Sequence, residues 1–93
     1  ILRVMGSTLE FGRTKAKNWK EARDIVVERA EYWYGADPYN GSFNTIIDWV
    51  ECKKPFADAD EFEDWVAEWG DKREAFVWTK DNETYHICGW CAC

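Results

Sequence analysis

Ninety-three residues with a formal net charge of −6 make one domain, 1–93, with no room for a second core. No apolar run approaches the ~20 residues of a membrane span. No basic stretch leads into a long apolar one, so no secretory leader is visible, and the absence of an initiator Met leaves open a trimmed or incomplete start. Three of the four Cys fall in the last six residues, a poor framework for disulfides and the pattern of a reducing, cytoplasmic setting.

Seven Trp, four Tyr and five Phe supply large apolar areas from few side chains. Most belong in a core, but Trp is also enriched at binding hot spots. The charge is uneven. Residues 1–47 carry a net +1, residues 48–74 a net −6 and residues 75–93 a net −1. A face that acidic does not hold phosphates, because nucleic-acid binding needs cations that release counterions. It suits a basic partner and electrostatic steering.

Ile1 to about Lys17 reads as strand, either bent at Gly6 or Gly12 or divided at Gly6-Ser7 into a hairpin. Asn18 followed by Glu21 gives a capping-box-like helix start. Trp19, Ala22, Val26, Ala30 and Trp33 then share one stripe, and Gly35 stops the helix. Ala36 to Ser42 is a loop with Asp-Pro and Asn-Gly turn signals. Phe43 to about Lys53 reads as a strand apolar on both faces (Phe43, Ile47 and Trp49 on one, Ile46 and Val50 on the other), hence a central one.

Asp58 to Asp71 packs seven carboxylates and three large aromatics into fourteen residues with no Lys or Arg. Asp58 and Glu61 repeat the capping pattern. At about 100° per residue, Phe62, Trp65, Val66 and Trp69 cover an arc of about 100°, and Glu61, Asp64, Glu68 and Asp71 an opposed arc of about 80°. Gly70 ends this helix. Glu74–Thr79 and Thr84–Trp90 form a hairpin around residues 80–83. The order is β(β)-α-β-α-β-β, an α+β fold with a mostly antiparallel sheet and two helices.

Three chemistries are open to these residues. His86, Cys88, Cys91 and Cys93 are a possible tetrahedral zinc set. A continuous strand, however, sends His86 and Cys88 to one face and Cys91 and Cys93 to the other. Nucleophilic catalysis by Cys88 with His86 fails on reach, since two residues along a strand span about 6.6 Å. The carboxylates lie where water solvates them, and no phosphate loop, dinucleotide fingerprint or metalloprotease motif is present. The expectation is therefore a protein with no enzymatic activity and no cofactor.

The acidic face remains. Asp58, Asp60, Glu61, Glu63, Asp64, Glu68 and Asp71 form the candidate partner-binding set. Charges of one sign four residues apart repel and cost helix stability, whereas a merely soluble surface mixes signs. The alternative to a binding face is a solvated helix side.

Short strands, the strand-to-helix passage KAKNWKEARDI (15–25) and the closing hairpin FVWTKDNETYHIC (76–88) together resemble small phage-encoded anti-CRISPR and anti-restriction proteins. The resemblance lies in element order over most of the chain and carries no residue across as a known contact. It implies a non-catalytic inhibitor in the bacterial cytoplasm that occupies the nucleic-acid path of a host defence complex. The partner would be a basic surface of a protein or nucleoprotein, not nucleic acid or membrane. The other two readings are a small zinc-binding adaptor and an assembly protein that oligomerises through exposed Trp.

Overall fold

The computed structural model of the chain describes residues 6–93. The expected strand start at Ile1, and the first arm of a hairpin at Gly6, lie outside them. In order come β1 (Ser7–Lys15), α1 (Trp19–Tyr34), β2 (Asp48–Glu51), α2 (Ala59–Trp69), β3 (Glu74–Thr79) and β4 (Thr84–Ala92). They form a single small α+β domain. The four-stranded sheet runs β1-β4-β3-β2. Antiparallel pairing joins β1 to β4 and β4 to β3, while β2 lies parallel to β3. α2 is the crossover that parallel neighbours require.

The helices cover opposite faces of the sheet. Ala22, Val26 and Ala30 of α1 bury against Val77, Tyr85, Ile87 and Cys91. Phe62 and Val66 of α2 bury against Phe76, Trp78 and Cys88. The alternation of β3 decides this: Ala75 and Val77 serve one core, Phe76 and Trp78 the other. Small residues bring α1 close. An added Cβ at Gly89 would stand 2.5 Å from Ala75 Cβ, its cross-strand neighbour. The α2 side is aromatic instead. Phe62 stacks on Trp78 with centroids 5.6 Å apart, and Phe56 meets both.

Both helix starts follow the sequence reading. Asn18 Oδ1 accepts from Glu21 N (2.9 Å), and Glu21 Oε1 accepts from Lys17 N (2.9 Å). Asp58 Oδ1 accepts from Glu61 N (3.0 Å), and Glu61 Oε1 accepts from Ala57 N (3.1 Å). α1 stops at Gly35, whose φ of 81° suits glycine. α2 ends at Gly70. The hairpin turn is held by Asp81, whose Oδ1 accepts from Glu83 N and Thr84 N (both 2.9 Å). Those bonds lower its pKa.

The expected strand from Phe43 to Lys53 is corrected. Phe43–Thr45 is a 3-10 turn and only Asp48–Glu51 is strand. Ser42 explains the difference. Its Oγ accepts from Asn44 N (3.4 Å), its carbonyl accepts from Thr45 N (3.0 Å) and from Thr45 Oγ1 (2.8 Å). Such local bonds compete with a ladder. The strand is also not central: β2 is an edge strand, and Ile47, assigned to a covered face, is 75% exposed.

Candidate protein-binding surface

α2 is held on the sheet by Phe62 and Val66, both fully buried, with Trp65 half-buried against Phe56 and Phe76. Its opposite side faces water. There the seven candidate acids divide into groups with different physical roles.

Asp58 and Glu61 are the two halves of the cap described above. Glu61, read in the sequence both as part of the cap and as part of the acidic line, is engaged by the backbone N–H of Ala57 just before the N-cap. Asp60, Asp64 and Glu68 are exposed. They follow one another at four-residue spacing, about 6 Å along the axis. None has an ion-pair partner among the described residues. The ion pairs Arg23–Asp24 (2.9 Å) and Lys53–Glu51 (3.9 Å) lie elsewhere. Asp71 is exposed just beyond the helix end.

Glu63 points off the outer face. It is half-buried and shares a cleft with Phe11, Arg13, Asp60 and His86. Desolvation, then repulsion from Asp60 and Asp64, raises its pKa above the usual carboxylate range. His86 across the cleft is shifted down, by desolvation first and by Arg13 second. It lies 5.6 Å from the Trp78 ring.

Two aromatics expected in the core are outside it. Trp69 is 65% exposed and Trp33 69% exposed. Each lies in the last turn of its helix, where the periodic pattern still points inward but the buried side chains have already ended at Val66 and Ala30. Trp33 belongs to a group that the sequence reading missed. Tyr32, Trp33, Tyr34 and Tyr39 are all exposed, with Tyr32 and Trp33 edge-on at 5.1 Å. The composition signal was there, in the run Tyr32-Trp33-Tyr34 directly before the Gly35 stop, but only Trp33 entered the stripe.

Arg73 is the other residue missed. Its Nε donates to Thr45 O (3.0 Å), its Nη2 to Pro38 O (3.2 Å), and its guanidinium lies over Tyr39 at 5.2 Å. It thereby fixes the 36–47 segment against the start of β3. No short-range motif announces such contacts.

β4 does not bring the possible zinc ligands together. Cys88 belongs to the α2-side core and Cys91 to the α1-side core. Among the described residues no group of three or more His, Cys, Asp or Glu has metal-holding geometry. Burial pushes the Cys88 and Cys91 thiols up to about 12, so neither supplies a thiolate nucleophile at neutral pH. Among the described residues no helix is long and apolar enough to cross a membrane.

No protein-family model, no curated protein and no solved structure matches the chain.

Proposed function

We propose that the protein is a non-catalytic binding protein whose outer α2 face docks on a basic surface of a partner protein or nucleoprotein. The observation that carries the reading is the row Asp60, Asp64 and Glu68: exposed, unpaired, and fixed to a helix that Phe62 and Val66 anchor. One negative charge per about 6 Å is a sparser version of the line of charge that a nucleic-acid strand presents. A cleft that holds nucleic acid with Lys and Arg would accept it. Following the resemblance to anti-CRISPR and anti-restriction proteins, the partner class is a nucleic-acid-targeting complex of bacterial defence, inhibited by occupation of its nucleic-acid path. The four free thiols suit the reducing cytoplasm where such a complex works.

The test is capture of the partner from bacterial lysate at low and high salt, with the parent protein and with Asp60, Asp64 and Glu68 all changed to Lys. The parent should retain a nucleic-acid-binding partner that salt releases, exclude that partner's nucleic acid, and lose it on charge reversal. A partner held equally by the reversed variant would refute the reading. Glu61 is left unchanged because its loss would also weaken the helix start.

The exposure of Trp33 and Trp69 favours a second reading, assembly of like chains through aromatic contacts. Mass in solution across a hundredfold range of concentration distinguishes it: a constant monomer mass excludes it.

A further inference from the structure

The sheet ends differently on its two sides. β2 is four residues long and runs into Lys53-Lys54-Pro55, the blunted kind of edge that resists pairing. β1 has nine residues, and among the described residues no strand pairs with its outer side.

The register says which groups face outward. Cys93 N donates to Gly6 O (2.8 Å) and Ala16 N to Glu83 O (3.1 Å). Between them the β1–β4 pairing runs unbroken from Ser7↔Ala92 to Lys15↔Thr84. Hydrogen-bonded pairs alternate in an antiparallel ladder, so the even-numbered residues of β1 bond to β4. The N–H and C=O groups of Leu9, Phe11 and Arg13 therefore point away from the sheet. Arg29 agrees with this: its Nη1 reaches the Arg13 carbonyl from α1 at 3.3 Å.

A concave surface lies on each side of this edge. On the α1 face a cleft of about 170 Å³ has Trp33 and Tyr34 among its walls, with Glu10 and Arg29 beside them. On the α2 face Asp60 and Glu63 line a second cleft, against one guanidinium (Arg13) and His86, whose pKa is lowered by desolvation and then by Arg13. A strand added to β1 sends successive side chains to alternate faces, hence one into aromatic surroundings and the next beside two carboxylates. Desolvation first, and Asp60 and Asp64 second, raise the Glu63 pKa, and a cation beside it would oppose that second cause.

We infer that the outer edge of β1 takes up an extended peptide segment of a partner, one in which apolar or aromatic side chains alternate with Lys or Arg. Main-chain hydrogen bonds to Leu9, Phe11 and the N–H of Arg13 supply the register, the Arg13 carbonyl being already bonded to Arg29, and the two clefts supply the side-chain preference. This site shares Asp60 with the outer α2 face but does not depend on Asp64 or Glu68.

The experiment is amide hydrogen exchange by NMR on the whole protein, with a seven-residue peptide of alternating valine and lysine. The control peptide has the same composition in two blocks. The alternating peptide should slow exchange at Leu9, Phe11 and Arg13 by tenfold or more and leave Glu10 and Gly12, already bonded to β4, unchanged. The block peptide should not do so. The Asp60→Asn, Glu63→Gln double variant should bind the alternating peptide about tenfold more weakly, and Asp64→Lys with Glu68→Lys should not remove the odd-residue protection. Equal protection by the block peptide overturns the inference. So does unchanged exchange at the odd-numbered amides, whether because nothing binds there or because a second copy already occupies the edge.

Discussion

Replacing Asp58 and Asp64 separately by Ala tests whether the acidic stretch has a structural and a functional part. Asp58 accepts the Glu61 amide at 3.0 Å, and loss of an N-cap carboxylate costs about 1 kcal/mol, within 0.5–2. For a domain of this size each kcal/mol lowers Tm by about 4–8 °C. Among the described residues Asp64 accepts no hydrogen bond, and it has Asp60 and Glu68 one turn away on either side. Each like-charge pair at that spacing costs about 0.2–0.5 kcal/mol, so Asp64→Ala should leave stability unchanged or raise it by a few tenths of a kcal/mol. Thermal unfolding followed by far-ultraviolet circular dichroism should then show Asp58→Ala melting about 4–8 °C or more below Asp64→Ala. Partner binding should show the reverse, falling with Asp64→Ala and retained by Asp58→Ala below its melting range. Equal destabilisation by the two variants would mean that Asp64 carries a fold-stabilising role, and the case for a binding face would go with it.

Thr45→Val keeps the volume of a side chain that is 1% exposed but removes the Oγ1 that accepts Ala92 N at 2.9 Å. Leaving that buried donor open should cost about 1–3 kcal/mol, read as a lower urea midpoint at unchanged slope. Glu63→Gln has a pH signature. A carboxyl whose pKa is raised in the fold favours the fold below its unfolded pKa, and that contribution is lost as pH rises through the folded value. The variant should therefore be more stable than the parent at pH 7, with the advantage shrinking as pH falls through the raised folded value and gone once pH is below the ordinary glutamate value; a constant advantage at all pH values would contradict it. Thiol labelling at pH 7 should modify exposed Cys93 within minutes and leave buried Cys88 and Cys91 unreacted until the chain is unfolded.

Both helix caps, the closing hairpin and the two faces of β3 were legible in the sequence because each is decided within a few residues. Asn18 finds Glu21, and Asp58 finds Glu61, at a fixed offset of three. The buried faces of α1 and α2 were legible near their middles and failed at their ends. Periodicity gives the direction of Trp33 and Trp69 but not what lies beneath them. β2 was misread because its composition suits a strand while the Ser42–Thr45 bonds use the backbone locally first. The central place of β4 and the free edge of β1 depend on pairing between distant segments, which no local pattern encodes. In the candidate site the acids and the capping place of Glu61 were plain, but the position of Glu63 in the cleft with Arg13 and His86 depends on packing between distant segments.

β4 lies between β1 and β3 although it follows both in the chain, with Ser7 paired to Ala92 at the far end of the register. On the ribosome the strand that both neighbours need is made after them. Until it emerges, β1 has no ladder on either side, and Phe76 and Trp78 have only part of their platform. Long-range closure of this kind is slow and comes late. The nascent chain therefore keeps the inner edge of β1 and the Phe76 and Trp78 face incompletely covered until β4 has emerged and paired.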